Sequence, residues 1–252
     1  MKHVKYSAII DRDRLHDLRT GLLTWFGENG RQLPWRETRD PYAVLVSEIL
    51  LHQTTVEVVE PVYRRFLETF PTVGALADAP LSDIKAMTDP LGYKVRGRWL
   101  KDIAVAVVRD HGGRVPDELE TLMTLPGVGR YTAGACLSFA YEQPAGVLDT
   151  NVARIVGRLF LVSGERAGAE RLHKLWALAE AIVPDEDAWA FNQGLMDFGS
   201  LVCTARKPAC LLCPFHDWCP SGGAGARAAE GGGGVVFWER PRPPRRKAGE
   251  AS

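Results

Sequence analysis

Four cysteines within 17 residues, Cys203, Cys210, Cys213 and Cys219, restrict what this chain can fold into more than any other feature. Their spacing, C-x6-C-x2-C-x5-C, shaped by Pro208 and Pro214, predicts a compact loop closed round a shared centre. The first residues, MKHVKYSAIIDRDR, lack an apolar stretch followed by a small-residue cleavage site, so no export to an oxidising compartment is expected. Metal binding is therefore favoured over disulfides. Four thiolates suit a zinc ion or a [4Fe–4S] cluster, and spacing alone does not choose. Cys136, alone in the apolar run ACLSFA, reads as a small core residue.

Upstream of the cysteines the dominant period is helical. Apolar positions recur at helical spacing from Leu15 to Phe26. Pro34 and Pro41 bracket a non-helical arm, and Pro41 then opens a helix running YAVLVSEILLHQTTVEVV. Further helices are predicted over Pro61–Phe70, Leu81–Met87, Gly97–Val108, Pro116–Thr124, Tyr131–Ala140, Val152–Leu161, Glu170–Ile182 and Ala188–Leu201. Strand signals are nearly absent, so the fold class is all-α. After residue 220 the composition shifts to SGGAGARAAEGGGG and then VVFWERPRPPRRKAGEAS, predicting a flexible tail over 221–252, with Val235 to Trp238 as a small apolar cluster in it.

Formal charge is zero, which excludes a uniformly basic nucleic-acid binder. Any contact with DNA must come from local patches and backbone groups. No apolar run reaches the roughly 18 residues of a membrane helix. A cytoplasmic, nucleoid-associated monomer is expected.

LPGVGRYTAG, residues 125–134, suggests such a patch. Gly127 and Gly129 permit a tight turn, Val128 lies between them, and a helix starts near Arg130. The outward N–H groups of that turn would cradle a phosphate regardless of base sequence. About twenty residues on, Asp149 in LDTNV precedes another helix start, as an N-cap or as an anion facing a substrate cation. Glu48 sits within the apolar run VLVSEILL, where a carboxyl group needs a reason.

Together these residues resemble the helix-hairpin-helix (HhH-GPD) DNA glycosylases of the endonuclease III superfamily, in its adenine-specific (MutY-like) and thymine-mismatch (MIG-like) branches. The resemblance covers roughly residues 20–220. It rests on LPWR (33–36), DPYAVLVSEILLHQTT (40–55), LGY (91–93), LPGVGRYTAG (125–134), LDTNV (148–152), FNQGLMDFG (191–199) and the cysteines. It implies a [4Fe–4S] cluster rather than zinc. It also implies two lobes, one of six helices over about 40–145 and a second from 1–39 plus 146–202, with double-stranded DNA bound across the cleft.

The resemblance further implies roles. Glu48 would act as acid and Asp149 would stabilise the sugar cation, its place near a helix N-terminus favouring the anion. Tyr131 would stand between them, where the strand-cleaving relatives carry a lysine. A phenol forms no Schiff base, so a monofunctional enzyme that removes a base and stops is expected. Gln53 would plug the gap, with His52 beside it and Leu91 and Tyr93 facing the opposite base. Lys94, Arg96, Arg98, Arg36 and Arg39 are candidate phosphate contacts.

Base preference divides the features. Gln193, Gln53 and Val56 match the adenine branch, and a Gln amide can pair bidentately with adenine. RDPY (39–42), GGRVP (112–116) and GLMDF match the thymine branch. The residues past 220 are too few and too rich in Gly and Arg to form the domain that reads 8-oxoguanine in the adenine branch. Adenine opposite G or 8-oxoG leads, thymine or uracil opposite G follows, and a non-catalytic DNA-binding module is the rival from another class. Thr150 departs from the residue usual in both branches.

Overall fold

The predicted helical periods become helices, with one ribbon added. In the computed structural model, which describes residues 7–160, 168–222 and 236–239, strand β1 (Ser7–Ile10) leads into α1 (Arg12–Asn29), α2 (Pro41–Leu50), α3 (Val56–Thr69), α4 (Val73–Asp78) and α5 (Leu81–Thr88). Then follow α6 (Arg96–His111), α7 (Leu119–Leu122), α8 (Arg130–Ala140), α9 (Thr150–Leu159), α10 (Ala169–Ile182), α11 (Ala188–Leu201) and strand β2 (Val236–Glu239).

The helices bury their apolar faces in two separate cores. The first runs from Leu33 to Val147 and centres on α2, where every residue from Tyr42 to Leu50 is buried. Around it α6 contributes Leu100, Ile103, Ala104 and Val107, one face at helical spacing. The second core joins the ends of the described chain: Leu18 and Leu22 of α1, Val152, Ile155, Val156 and Leu159 of α9, and Phe191, Leu195 and Phe198 of α11. Val147 belongs to one core and Leu148 to the other. The chain thus passes between lobes one residue before Asp149. Leu33 and Trp35 pack in the first core, although the sequence placed residues 1–39 with the second lobe. The reason is the LPWR arm, whose Trp35 ring meets Tyr63 edge-on at 5.4 Å.

Other differences have local causes. The helix expected from Pro41 through Val59 ends at Leu50, and residues 51–55 turn before α3 begins. Gln53 there takes a left-handed φ of 53°. Pro61 lies inside α3 rather than at its start. Burial of Val59, Tyr63 and Phe66 on one face outweighs the hydrogen bond that proline removes. The helix α4 escaped the sequence reading; Thr72 caps it, accepting from the Ala75 N–H at 3.1 Å.

The tail is corrected at four residues. Val236–Glu239 pairs antiparallel with β1, Ser7 opposite Glu239 and Ile10 opposite Val236. VFWE has high strand propensity, and β1 would otherwise present an unpaired edge. The remainder of the predicted flexible tail, 223–235 and 240–252, lies outside the described residues.

Candidate active site and iron–sulfur loop

Three elements bring Glu48, Tyr131 and Asp149 together. Glu48 sits on α2, 4% exposed, held there by the apolar residues on either side of it. Tyr131 is the second residue of α8, which packs against α2. Asp149 caps α9. Gly134 allows this approach, since a Cβ there would come within 2.6 Å of the Gly146 carbonyl oxygen, on the segment that delivers Asp149.

Burial pushes the Glu48 carboxyl up to about 7. A hydrogen bond from Tyr131 and the charge of Arg36 oppose the rise, and the nearby Asp149 adds to it. Tyr131 is raised well above its ordinary value, first by burial and then by Glu48 and Asp149, so its hydroxyl stays protonated and able to donate. That hydroxyl also lies 3.7 Å from Met196 Sδ. Asp149 serves as the N-cap its position allowed. Its Oδ1 accepts from the Val152 N–H at 2.6 Å, and Oδ2 accepts from Asn151 Nδ2 at 2.9 Å. Burial nevertheless outweighs these bonds, and its pKa lies above the ordinary value rather than below it. The helix terminus favours the anion as expected, but not enough to offset desolvation.

Next to this group is a buried ionic network. Asp197 on α11 is fully buried and accepts from Arg31 Nη2 at 2.6 Å and Arg36 Nη1 at 2.8 Å. Arg36 also donates through Nε to Gln193 Oε1 at 2.7 Å. Since Nε can only donate, the amide orientation of Gln193 follows. Its oxygen is engaged by Arg36 and its NH2 faces elsewhere. Arg36, 9% exposed, is therefore an internal strut and not a phosphate contact. The role of Asp197 escaped the sequence reading, although it lies inside FNQGLMDFG.

The hairpin between α7 and α8 has the expected turn. Gly127 takes φ +76°, and a Cβ there would strike the Trp99 ring at 2.6 Å. Val128 is buried. The N–H groups of Gly129, Arg130 and Tyr131 find no backbone acceptor among the described residues, leaving them free for an anion. The Arg130 side chain is not free. It pairs with Glu180 and stacks over Trp176 at 4.3 Å from the ring centre.

The wedge candidates separate. Gln53 is exposed. His52 is half-buried, its Nε2 3.4 Å from Thr132 Oγ1. Val56 opens α3 and packs against the first core. Tyr93 is 39% exposed, whereas Leu91 is 8% exposed and packs inside, so Leu91 does not reach outward. A leucine ahead of an exposed Gly-Tyr pair gains more from the core than from solvent. Arg96 is also wholly buried and no phosphate contact. Arg98 is exposed but paired with Asp102, and Arg39 with Glu142. Lys94 is exposed, and Thr150 is the exposed first residue of α9.

Beyond α11 the four cysteines line one cavity of about 160 Å³ with Ile155, Phe198 and Phe215. Phe215 is 1% exposed and packs on Phe198 at 5.4 Å, anchoring the loop in the second core. Arg158 Nη1 lies 3.3 Å from Cys203 Sγ, and Arg154 Nε donates to the Cys203 carbonyl at 2.8 Å. Cys136 is buried in the first core, as expected.

Residues 46–181 match the HhH-GPD superfamily base excision DNA repair protein model, and residues 203–219 match the iron–sulfur binding domain of endonuclease III. The chain belongs to the HhH-GPD superfamily and is an iron–sulfur protein with a [4Fe–4S] cluster. It is 41% identical over 210 residues to the adenine DNA glycosylase of Rattus norvegicus, which covers 80% of this chain but only 41% of that protein. It is 40% identical over 201 residues to the thymine/uracil-DNA glycosylase of Pyrobaculum aerophilum, covering 78% of this chain and 87% of that protein. A solved thermostable thymine-DNA glycosylase superposes with a TM-score of 0.76 at 36% identity, over 82% of this chain and 95% of its own.

Proposed function

We propose that this protein is a monofunctional DNA glycosylase of base excision repair, which hydrolyses the N-glycosidic bond of a base flipped from a mismatch in duplex DNA. The observation that carries this reading is Glu48, a carboxyl still half-protonated near pH 7, beside Tyr131 and Asp149. Cleaving a glycosidic bond demands a proton for the leaving base and a negative charge for the oxocarbenium-like sugar. Glu48 supplies the first and Asp149 the second. The bond between C1′ and the base nitrogen breaks, its electron pair leaves with the base, and the Glu48 proton neutralises the base, at N7 for adenine. Water then adds to C1′ and gives its proton to the Glu48 carboxylate, which restores the acid. Tyr131 orients the acid or the water but offers no amine, so no covalent sugar adduct and no strand cleavage follow.

Cys203, Cys210, Cys213 and Cys219 would hold the cluster, which would frame the loop after α11. The free N–H groups at Gly129 to Tyr131 would hold a DNA phosphate, and Gln53 would fill the gap left by the flipped base.

Adenine opposite G or 8-oxoG is the leading substrate, because the Gln193 NH2 can donate to N1 while the second lone pair of its oxygen receives the N6 amine, leaving N7 for the Glu48 proton. A second reading, thymine or uracil opposite G, draws on the same residue. Arg36 already occupies the Gln193 oxygen, and the remaining NH2 suits a keto oxygen. Duplexes holding A:G, A:8-oxoG, T:G and U:G, assayed with and without alkali, decide. Breaks without alkali would refute the monofunctional claim, and full base release by Asp149→Asn would refute the mechanism. Specific duplex binding without base release would leave the non-catalytic module standing.

A further inference from the structure

Arg96 carries a buried charge with no carboxylate against it. It is 0% exposed at the first position of α6, and among the described residues no aspartate or glutamate pairs with it. Its Nη1 donates to the Leu91 carbonyl at 3.1 Å, and its Nη2 donates to the His52 carbonyl. The guanidinium lies 5.7 Å from the Tyr93 ring centre, and Nε is buried without a partner. Taking a guanidinium out of water is costly, and an apolar side chain of that length would fill the space more cheaply.

What the charge does is join two loops that are far apart in sequence. Residues 51–55 and 89–95 both accept from this one group. One turn later, Trp99 meets His52 edge-on at 5.8 Å and Tyr93 at 5.6 Å, and its ring backs Gly127 of the hairpin. Gln53, exposed and at φ 53°, follows the very carbonyl that Arg96 holds. A left-handed glutamine persists only where its surroundings enforce it.

We propose that Arg96 is a positioning residue that fixes the spacing between Gln53 and Tyr93, so that the duplex gap left by an extruded base is filled from both sides. The inference rests on the functional reading above. Its two carbonyl bonds need a forked donor, which a lysine ammonium reproduces only in part. Misplacement of a positioning group by about an ångström costs up to ~100-fold in rate.

The test uses the full chain with its cluster, as Arg96→Lys, Arg96→Met and each combined with Gln53→Ala. Single-turnover base release and KM are measured on the preferred mismatch and on the same base opposite an abasic-site analogue, where no partner base has to be displaced. Arg96→Met should lose roughly 10- to 100-fold in kcat/KM on the mismatch, chiefly through KM, and several-fold less opposite the abasic analogue. Arg96→Lys should fall between, and Gln53→Ala should add little to either. Equal losses on both substrates, or full additivity with Gln53→Ala, would assign Arg96 to general stability and overturn the proposal. Should Arg96→Met lose its visible cluster absorbance, the same ratio in Arg96→Lys decides. Base release absent from the unaltered protein overturns both this inference and the functional reading; release with an unchanged substrate ratio overturns this one alone.

Discussion

Replacing Glu48 with Gln should stabilise the protein at pH 8 while abolishing base release. Its carboxyl rises from the ordinary 4.5 to about 7, with burial as the main cause. At roughly 1.4 kcal/mol for each pH unit, the ionised folded state carries a penalty of about 3 kcal/mol that the unfolded chain does not. Below about pH 4.5 the carboxyl is protonated in both states and the penalty vanishes. Between 4.5 and 7 the folded state binds the extra proton, so stability declines as pH rises. Above 7 the deficit is constant. A glutamine is neutral throughout and of nearly equal volume. Urea melts at pH 5, 6, 7 and 8 should show a gap between Glu48→Gln and the parent that is small at pH 5, widens to pH 7 and then levels near 3 kcal/mol. Base release by the parent should fall above pH 7 as the proton is lost, and on the acid side as Asp149, itself raised by burial, loses its charge. A gap independent of pH, or a variant less stable than the parent at pH 8, would show that Glu48 is not a desolvated acid.

Three other perturbations follow from the geometry. Asp197→Asn leaves Arg31 and Arg36 facing a neutral group and should cost about 3–5 kcal/mol in denaturant melts. Burial pushes the Asp197 carboxyl up, yet hydrogen bonds from Arg36 and Arg31 outweigh it and hold the pKa below the ordinary value. Its contribution is therefore complete above about pH 4 and lost as pH falls further. Gly127→Ala forces a positive φ on alanine and a Cβ into the Trp99 ring, so melts should show a loss of about 1–3 kcal/mol and undamaged duplex should bind more weakly by gel shift. Cys213→Ser should lose visible absorbance and make residues 203–219 the first site of limited proteolysis.

The helices and the grouping of Glu48 with Asp149 were legible because each leaves a local signature: apolar periods for α6 and α9, an acid in an apolar run for Glu48, a cap position for Asp149. The Asp197–Arg36–Gln193 network was not legible, since its members lie 157 to 161 residues apart and nothing local distinguishes a buried ionic strut from a surface arginine. Arg36 and Arg96 were misread for that reason. The turn at 51–55 was hidden by a helical period that continues across it. The β2 strand could be read only as propensity, because its partner is at the other end of the chain.

The division of the cores has a consequence for how the molecule is made. The first core draws on residues 33 to 147, one continuous stretch. The second needs α1 together with α9, α10 and α11; Arg19, for example, donates to the carbonyls of Ile182 and Val183. During synthesis α1 must therefore wait, its apolar face uncovered, until α11 has left the ribosome. The loop that takes iron and sulfide depends in turn on that core, because its anchor, Phe215, packs there on Phe198 of α11. A shortage of iron would thus strand a protein with both cores formed and the 203–219 loop open, a natural target for proteases.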